Sequence, residues 1–372
     1  MGEMRDGASR WYEQLPEHWQ LKCIKHCFYI ISGATPRSDI ADYWDGDVKW
    51  ITPADYKTED KYVSGGKRNI TRAGYHACST VMIPAGSIIF TKRAPIGTVA
   101  INTERLCTNQ GCLSCVRKRE DIFVPFFYYA MWMCGEQFQL LGSGTTFREI
   151  SATVFANVKL PVPPYDIQKR IAGFLDKKCR EIDRLSAELR EQIDVLEQYN
   201  RSVITEKVTK GLDPKVRMRE SGVQWLGEIP AHWACIRGKY ILKYMQKPVR
   251  ADDGVVTCFR DGEVTLRSKR REEGFTMADK EIGYQGVDVG DLVVHGMDGF
   301  AGAIGISDSR GKASPVLNVL ETEQNKRYIM YFLRSMAYQD VFLALATGIR
   351  VRSCDLRWNK LSELVYPVPP IA

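Results

Sequence analysis

The longest regular pattern in the chain runs from Ile167 to Lys210, where Gly173 is the only glycine and proline is absent. Leu175, Ile182, Leu189, Leu196 and Val203 return at seven-residue intervals, interleaved with Ile171, Lys178, Leu185, Gln192 and Tyr199. Two seam positions per seven residues, with charge on the other faces, predict a coiled-coil helix rather than one packed on a domain core, which would carry a wider apolar stripe. At 1.5 Å of rise per residue this helix would be about 65 Å long. Pro163-Pro164 stops any earlier element, Asp166 is placed to cap the new helix, and Gly211 and Pro214 end it. Lys178 and Gln192 on the seam weaken an apolar pairing while fixing its register. No second helix of this kind occurs in the 372 residues, so the seam's partner is expected from another chain or from sequence not included here.

On either side of this helix the pattern changes to short apolar runs broken by turns. Thr80 to Phe90 predicts a strand, a Pro/Gly turn and a second strand, with a counterpart at Val287 to Val294. The aromatic-rich run Phe123 to Phe138 predicts a buried helix, matched by Tyr328 to Ala346. The two flanks also repeat one another. Trp11 to Trp19 returns as Trp225 to Trp233, a shift of 225 − 11 = 214; Ala94 to Ile101 parallels Gly299 to Ile306, and Leu160 to Pro164 parallels Tyr366 to Pro370. Three markers in one order mean two copies of one domain. The expected fold is α/β (α+β): two homologous mixed α/β domains at 1–164 and 212–372, separated by the long helix at 165–211.

Composition narrows the class without naming it. Hydrophobic residues make up 44% and charged residues 26%, which excludes a disordered or collagen-like chain. No run approaches the length of a membrane span, and Met1 to Asp6 lacks the apolar core of a signal peptide. Eleven cysteines, an odd number without a signal, are read as reduced thiols in a cytoplasmic protein. The formal charge of +7 permits a polyanionic partner without demanding one.

Catalytic patterns fail on their own chemistry. Pro163-Pro164-Tyr165 resembles part of an adenine methyltransferase loop, but Val162 stands where an amino-group acceptor is required. Gly142-Ser143-Gly144-Thr145-Thr146 lacks the lysine of a phosphate-binding loop. Asp55-Tyr56-Lys57 has the residue types of a nuclease triad in a triplet too short to be specific. Cys112-Leu113-Ser114-Cys115 has no second cysteine pair at zinc-site spacing, so buried thiols are the simpler reading. No catalytic residue and no metal site are assigned.

Leu15-Pro16-Glu17-His18-Trp19 and its repeat, Gly33-Ala34-Thr35-Pro36, Gly46 to Ile51, Asn109-Gln110-Gly111, Pro161 to Pro164 leading to Asp176, and Lys210 to Gly227 occur in one specific order. In this order the chain resembles the DNA-specificity subunits of type I restriction-modification systems over nearly its whole length. The resemblance implies two target-recognition domains, each reading half of a bipartite DNA site, held apart by paired helical spacers. It implies a non-catalytic chain with no cofactor of its own. Methyltransferase subunits would bind S-adenosylmethionine, and a restriction/translocase subunit would bind ATP and Mg. The family's second spacer helix would begin just past Pro369-Pro370, where this sequence stops, so a truncated member, a fragment or one piece of a split subunit is expected, its missing helix coming from a second chain or from sequence not included here.

Phosphate neutralisation supplies most sequence-independent DNA affinity. In the first domain the candidate cations are Lys57, Lys67, Arg68, Lys92, Arg93 and Arg148, with Lys61 beside them. In the second they are Arg267, Lys269, Arg270 and Arg271, joined by Arg250, Arg260, Arg350 and Arg352. The expected subunit interface is the seam: Ile171, Leu175, Ile182, Leu185, Leu189, Leu196, Tyr199 and Val203.

Overall fold

A computed structural model describes residues 4–9, 12–144, 148–270, 282–344 and 356–370, with the backbone alone for 4–9 and 12–14. The chain divides into two compact units, Met1–Ser186 and Ala187–Ala372, and the boundary falls inside the long helix. The first half of that helix therefore belongs to the first unit and the second half to the second.

The first unit is built on a five-stranded sheet. Its strands are β1 (Phe28–Ser32), β2 (Tyr62–Val63), β3 (Ile88–Thr91), β4 (Val99–Asn102) and β5 (Cys112–Arg117), in the order β1-β5-β3-β4-β2. β5 runs antiparallel to both neighbours, pairing Cys115 with Ile30 and with Ile88, while β2 joins β4 in parallel. Side-chain alternation sends the two faces into different cores. Ile88, Phe90, Val99, Ile101, Leu113 and Cys115 face one cluster; Ile89, Ala100 and Cys112 face another, with Ile51, Tyr56 and Leu106. β3 and β4 are buried along their whole length, as strands covered on both faces must be.

The apolar run after Ile122 covers the first of these faces. It forms α1 (Val124–Met133) and α2 (Gly135–Leu141), not one helix to Phe138, because the helical path breaks at Cys134. Phe127 of α1 meets Phe28 edge-on at 5.1 Å, and Phe138 of α2 meets Phe90 at 4.8 Å. A second expectation also changes: Thr80 to Met82 form no strand, and Ile83 makes only an isolated bridge to Leu106. Strand Gln20–Cys23 pairs with Lys159–Val162, so the unit's entry and exit lie side by side.

The long helix α3 spans Tyr165–Lys210. Asp166 lies inside its first turn instead of capping it, where its charge still favours the positive end of the helix dipole. Buried Gln168 anchors the start: its carboxamide accepts from Phe123 N–H (2.8 Å) and donates to the carbonyls of Pro163 (2.9 Å) and Asp121 (3.1 Å). Seam residues at the two ends, Ile171, Leu175 and Val203, are half-buried. Those between are not: Ile182, Leu185, Leu189, Leu196 and Tyr199 stand 45–67% exposed.

In the second unit, β6 (Lys243–Met245), β7 (Leu292–His295), β8 (Ile304–Ile306) and β9 (Leu317–Glu321) form a sheet in the order β6-β9-β7-β8. This is the first sheet's order with its fifth strand reduced to a parallel bridge, Val264 to Ser307. α4 (Lys326–Tyr338) starts at Asn325, whose side chain accepts from the N–H groups of Arg327 and Tyr328. α5 (Val341–Ala344) follows a break at Asp340, which takes a left-handed φ of 56°. The expected helix therefore breaks here too, and residues 345 and 346 lie outside the described residues. Ala234–Arg237 pairs with Val365–Val368, closing this unit as the first is closed.

Candidate nucleic-acid interface

Motifs far apart in the first unit's sequence meet beyond the strand ends. A Cβ at Gly33 would stand 2.0 Å from the Thr108 carbonyl oxygen, so only glycine fits this crossing. Ala34 N–H donates to that same oxygen (3.0 Å), and Trp50 Nε1 donates to the Ala34 carbonyl (3.1 Å). Asn109 N–H donates to Ile51 (3.0 Å), the Asn109 side chain accepts from Gly111 N–H (2.9 Å), and Thr35 and Gln110 hydrogen-bond through their side chains. Lys92 N–H donates to the Gly111 carbonyl (2.9 Å), and Ile150 N–H donates to Lys92 (3.0 Å). Backbone bonding thus joins the loops around residues 33, 52, 92, 109 and 149 into one surface.

Asp55 organises the next part of it. One carboxylate oxygen accepts from the Thr52 N–H and hydroxyl, both at 2.8 Å, and the other accepts from Lys67 N–H (3.0 Å). Tyr56 is buried, with its hydroxyl 3.9 Å from Cys112 Sγ. Asp55 and Tyr56 are therefore structural, and among the described residues no cluster of three or more His, Cys, Asp or Glu could hold a metal ion. Burial pushes the Cys112 thiol up to about 12 and the Cys115 thiol up as well, so both stay protonated packing groups.

The predicted cations differ in what they can do here. Lys57 and Lys67 are exposed on either side of the Asp55 turn. Among the described residues neither ammonium has a carboxylate partner, which leaves both able to meet a phosphate. Arg93 and exposed Arg148 line a cleft of about 670 Å³ with Gln139, Ile96 and Pro95, and Glu149 lies 3.9 Å from Arg93. Lys92 is committed to Glu149 at 2.8 Å. Arg68 pairs with Asp45 (3.2 Å) and lies 4.2 Å from the centroid of the Trp44 ring. Lys61 is turned away altogether, onto Asp176 of α3.

In the second unit the dense basic run is embedded in its own carboxylates. Arg270 bonds to Asp261 and to Glu263 (2.8 Å) and stacks on Phe259 at 4.3 Å. Lys269 donates to Ser309 Oγ (2.8 Å) with Asp308 3.6 Å away, and Arg267 Nε donates to Thr257 Oγ1 (3.3 Å). Arg260 is held by Asp298 at 2.9 Å. Arg271, Arg350 and Arg352 lie outside the described residues.

Residues 16–195 match the family model for the type I restriction modification DNA specificity domain. Over these residues the chain is similar to a type I restriction-modification DNA specificity domain. The matched segment covers the first unit's loop cluster. Over 188 residues the chain is 35% identical to the type I restriction enzyme MjaIX specificity subunit of Methanocaldococcus jannaschii, covering 50% of this chain and 42% of that protein. Over 179 residues it is 24% identical to the HindI specificity subunit of Haemophilus influenzae, covering 46% and 39%. The matched segment thus spans less than half of each relative. In fold, the chain is similar to a solved chain from a study of complex assembly and conformational transition of the type I R-M system (TM-score 0.65, 16% identity, 96% of this chain and 87% of that one). It is also similar to the HsdS subunit from Thermoanaerobacter tengcongensis (TM-score 0.52, 14% identity, 96% and 86%). Among the described residues no helix is long and apolar enough to cross a membrane.

Sequence reasoning missed a second charged structure, in the second unit and outside the matched segment. Arg310 reaches Asp253 through two bonds of 3.0 Å and also holds Asp288; Lys247 binds Asp288 (2.9 Å) and Asp291 (2.7 Å). The Arg310 and Lys247 contacts lower the Asp288 carboxyl to about 2. Its five members are scattered from position 247 to 310 with no periodicity, so no local signal marks them.

Proposed function

We propose that this chain is the DNA-recognition subunit of a type I restriction-modification complex, acting without catalysis of its own. Each unit reads one half of a bipartite site, α3 sets the distance between halves, and its exposed seam docks other subunits. The observation that carries the reading is the specificity-domain match over the segment that joins Lys57, Lys67, Arg93 and Arg148 on one loop surface. Lys57 and Lys67, exposed and without a carboxylate partner among the described residues, meet phosphates, and the neighbouring Asn, Gln and Arg side chains have the donors and acceptors to read base edges.

In this assignment the methyltransferase subunits bring S-adenosylmethionine, and a restriction/translocase subunit brings ATP and Mg. This chain brings the sequence preference, in the cytoplasm. A further helix, from this chain's continuation or from a second chain, covers the seam.

The test is to produce the chain with type I methyltransferase subunits and map methylated adenines across a genome. One motif of two half-sites with a fixed gap is expected. Complex formation with an uninterrupted motif, or with DNA binding indifferent to salt, would overturn the proposal.

A further inference from the structure

The loop that carries Lys57 and Lys67 is tied to α3 by one cluster of side chains. Lys57 N–H donates to Asp60 Oδ2 (2.8 Å), and Asp60 N–H returns a bond to the Lys57 carbonyl (3.1 Å). The Lys61 carbonyl next in the chain accepts from Ile101 N–H in β4 (2.8 Å). Lys61's side chain, only 16% exposed, lies 4.5 Å from the Tyr129 ring centroid on α1 and bonds to Asp176 on α3. The Tyr129 hydroxyl donates to the same carboxylate oxygen at 2.6 Å. Burial pushes the Asp176 carboxyl up, but the bonds from Lys61 and Tyr129 outweigh it and hold it below the usual range. Burial and the Asp176 bond push the Tyr129 phenol up, so it remains a donor.

Gln168 fixes the start of α3 by hydrogen bonds, and Ala172 and Ile171 pack on the first unit's core one turn further on. Asp176 supplies a further anchor about 12 Å beyond Gln168 along the axis, and anchors spaced along a helix define its direction. The direction matters because an error of about 10° at one end of a helix about 65 Å long displaces the other end by about 11 Å, roughly three base pairs. An elastic tether would smear any distance the helix is asked to measure.

We propose that Lys61, Tyr129 and Asp176 are positioning residues that fix the angle at which α3 leaves the first DNA-reading loop, and so set how strictly the complex keeps its half-site gap. The inference rests on the functional reading above and assigns to that site a determinant of gap stringency. It also moves Lys61 from the phosphate-binding set to the helix.

The test uses the full chain with type I methyltransferase subunits. Asp176→Asn is expected to keep both half-site sequences while raising methylation at sites with a gap one base pair longer or shorter about fivefold. Asp176→Glu, which keeps the charge, is expected to restore most of the stringency. Should Asp176→Asn fail to fold, Tyr129→Phe and Lys61→Met each remove one partner and are expected to give the same broadening. A gap distribution identical to the wild type in folded variants overturns the clamp. If the wild-type complex yields no bipartite motif, the functional reading fails and the clamp is judged by hydrogen exchange. Exchange over residues 169–180 should then quicken about tenfold in Asp176→Asn, and an unchanged rate overturns the clamp independently.

Discussion

The two units use the same sheet and differ where their helices and loops meet. In both, the tryptophan of the repeated motif donates its N–H to the proline three residues earlier, at 2.9 Å for Trp19 and for Trp233. Ile24 N–H donates to Val158 as Gly238 N–H donates to Leu364, each at 2.9 Å. Phe127 and Phe332 are fully buried at matching helix positions (332 − 127 = 205), the same shift that relates Val99 of β4 to Ile304 of β8. That shift puts Arg334 where Tyr129 stands and Ser307 where Asn102 stands. The parallel pairing of Val63 with Asn102 and of Val264 with Ser307 then puts Gly262 in the place of Lys61.

The clamp is therefore particular to the first unit. Gly262 takes a φ of 90°, and a Cβ there would stand 2.0 Å from Arg334 Nη1. Arg334 Nε donates instead to the Tyr338 hydroxyl (2.8 Å), and Arg201 approaches that ring to 5.4 Å. A cleft of about 700 Å³, lined also by Glu197, Arg260 and Phe300, occupies the corresponding place. A repeated core fixes what a domain must bury, and the positions outside it are left to specialise.

The largest expected effect tests the shared part. Phe127→Ala and Phe332→Ala should each cost about 3–5 kcal/mol of their own unit's stability, measured by denaturant unfolding followed unit by unit. Very unequal losses would break the equivalence of the two cores.

A second test separates free cations from paired ones. Lys57→Ala with Lys67→Ala should weaken DNA binding and reduce the slope of log affinity against log salt by about 1.8, from two phosphate contacts. Arg270→Ala should leave the slope nearly unchanged, since that guanidinium already faces Asp261 and Glu263. A large slope change from Arg270→Ala would reverse the contrast between the units.

Gly262→Ala should cost about 1–2 kcal/mol, because a left-handed backbone and Arg334 both oppose a Cβ. Thermal unfolding of the second unit checks it.

The smallest effect is in pH. Asp288 ionises at about 2 in the folded unit, below the ordinary carboxylate value near 4. Its contribution is present above about pH 4 and is lost as pH falls through about 2. Asp288→Asn should shrink the second unit's loss of stability over that window and leave the first unit's acid response unchanged.

What the sequence made legible was whatever a short pattern encodes. The repeat, the seven-residue seam and the paired apolar runs are local or periodic. The break at Cys134 is marked only by Gly135 and the polar pair Glu136-Gln137, which the return of Phe138 masks, and Thr80 to Met82 read as a strand because apolar content does not supply a pairing partner. The basic surface was half legible. Sequence displays charge, but whether Arg270 is free depends on Asp261 and Glu263 folding back onto it, and whether Lys61 meets solvent depends on a residue 115 positions away.

The paired entry and exit strands, Gln20–Cys23 with Lys159–Val162 and Ala234–Arg237 with Val365–Val368, bear on inheritance. Each unit is closed by its own ends, and adjacent ends are what let a segment be cut out and replaced without rerouting the chain. Recombination at both strands of a pair would exchange a whole unit's sheet and loops and leave the helix between the units intact. Under the proposed function, one such exchange would replace a whole reading surface at once, without passing through half-altered intermediates.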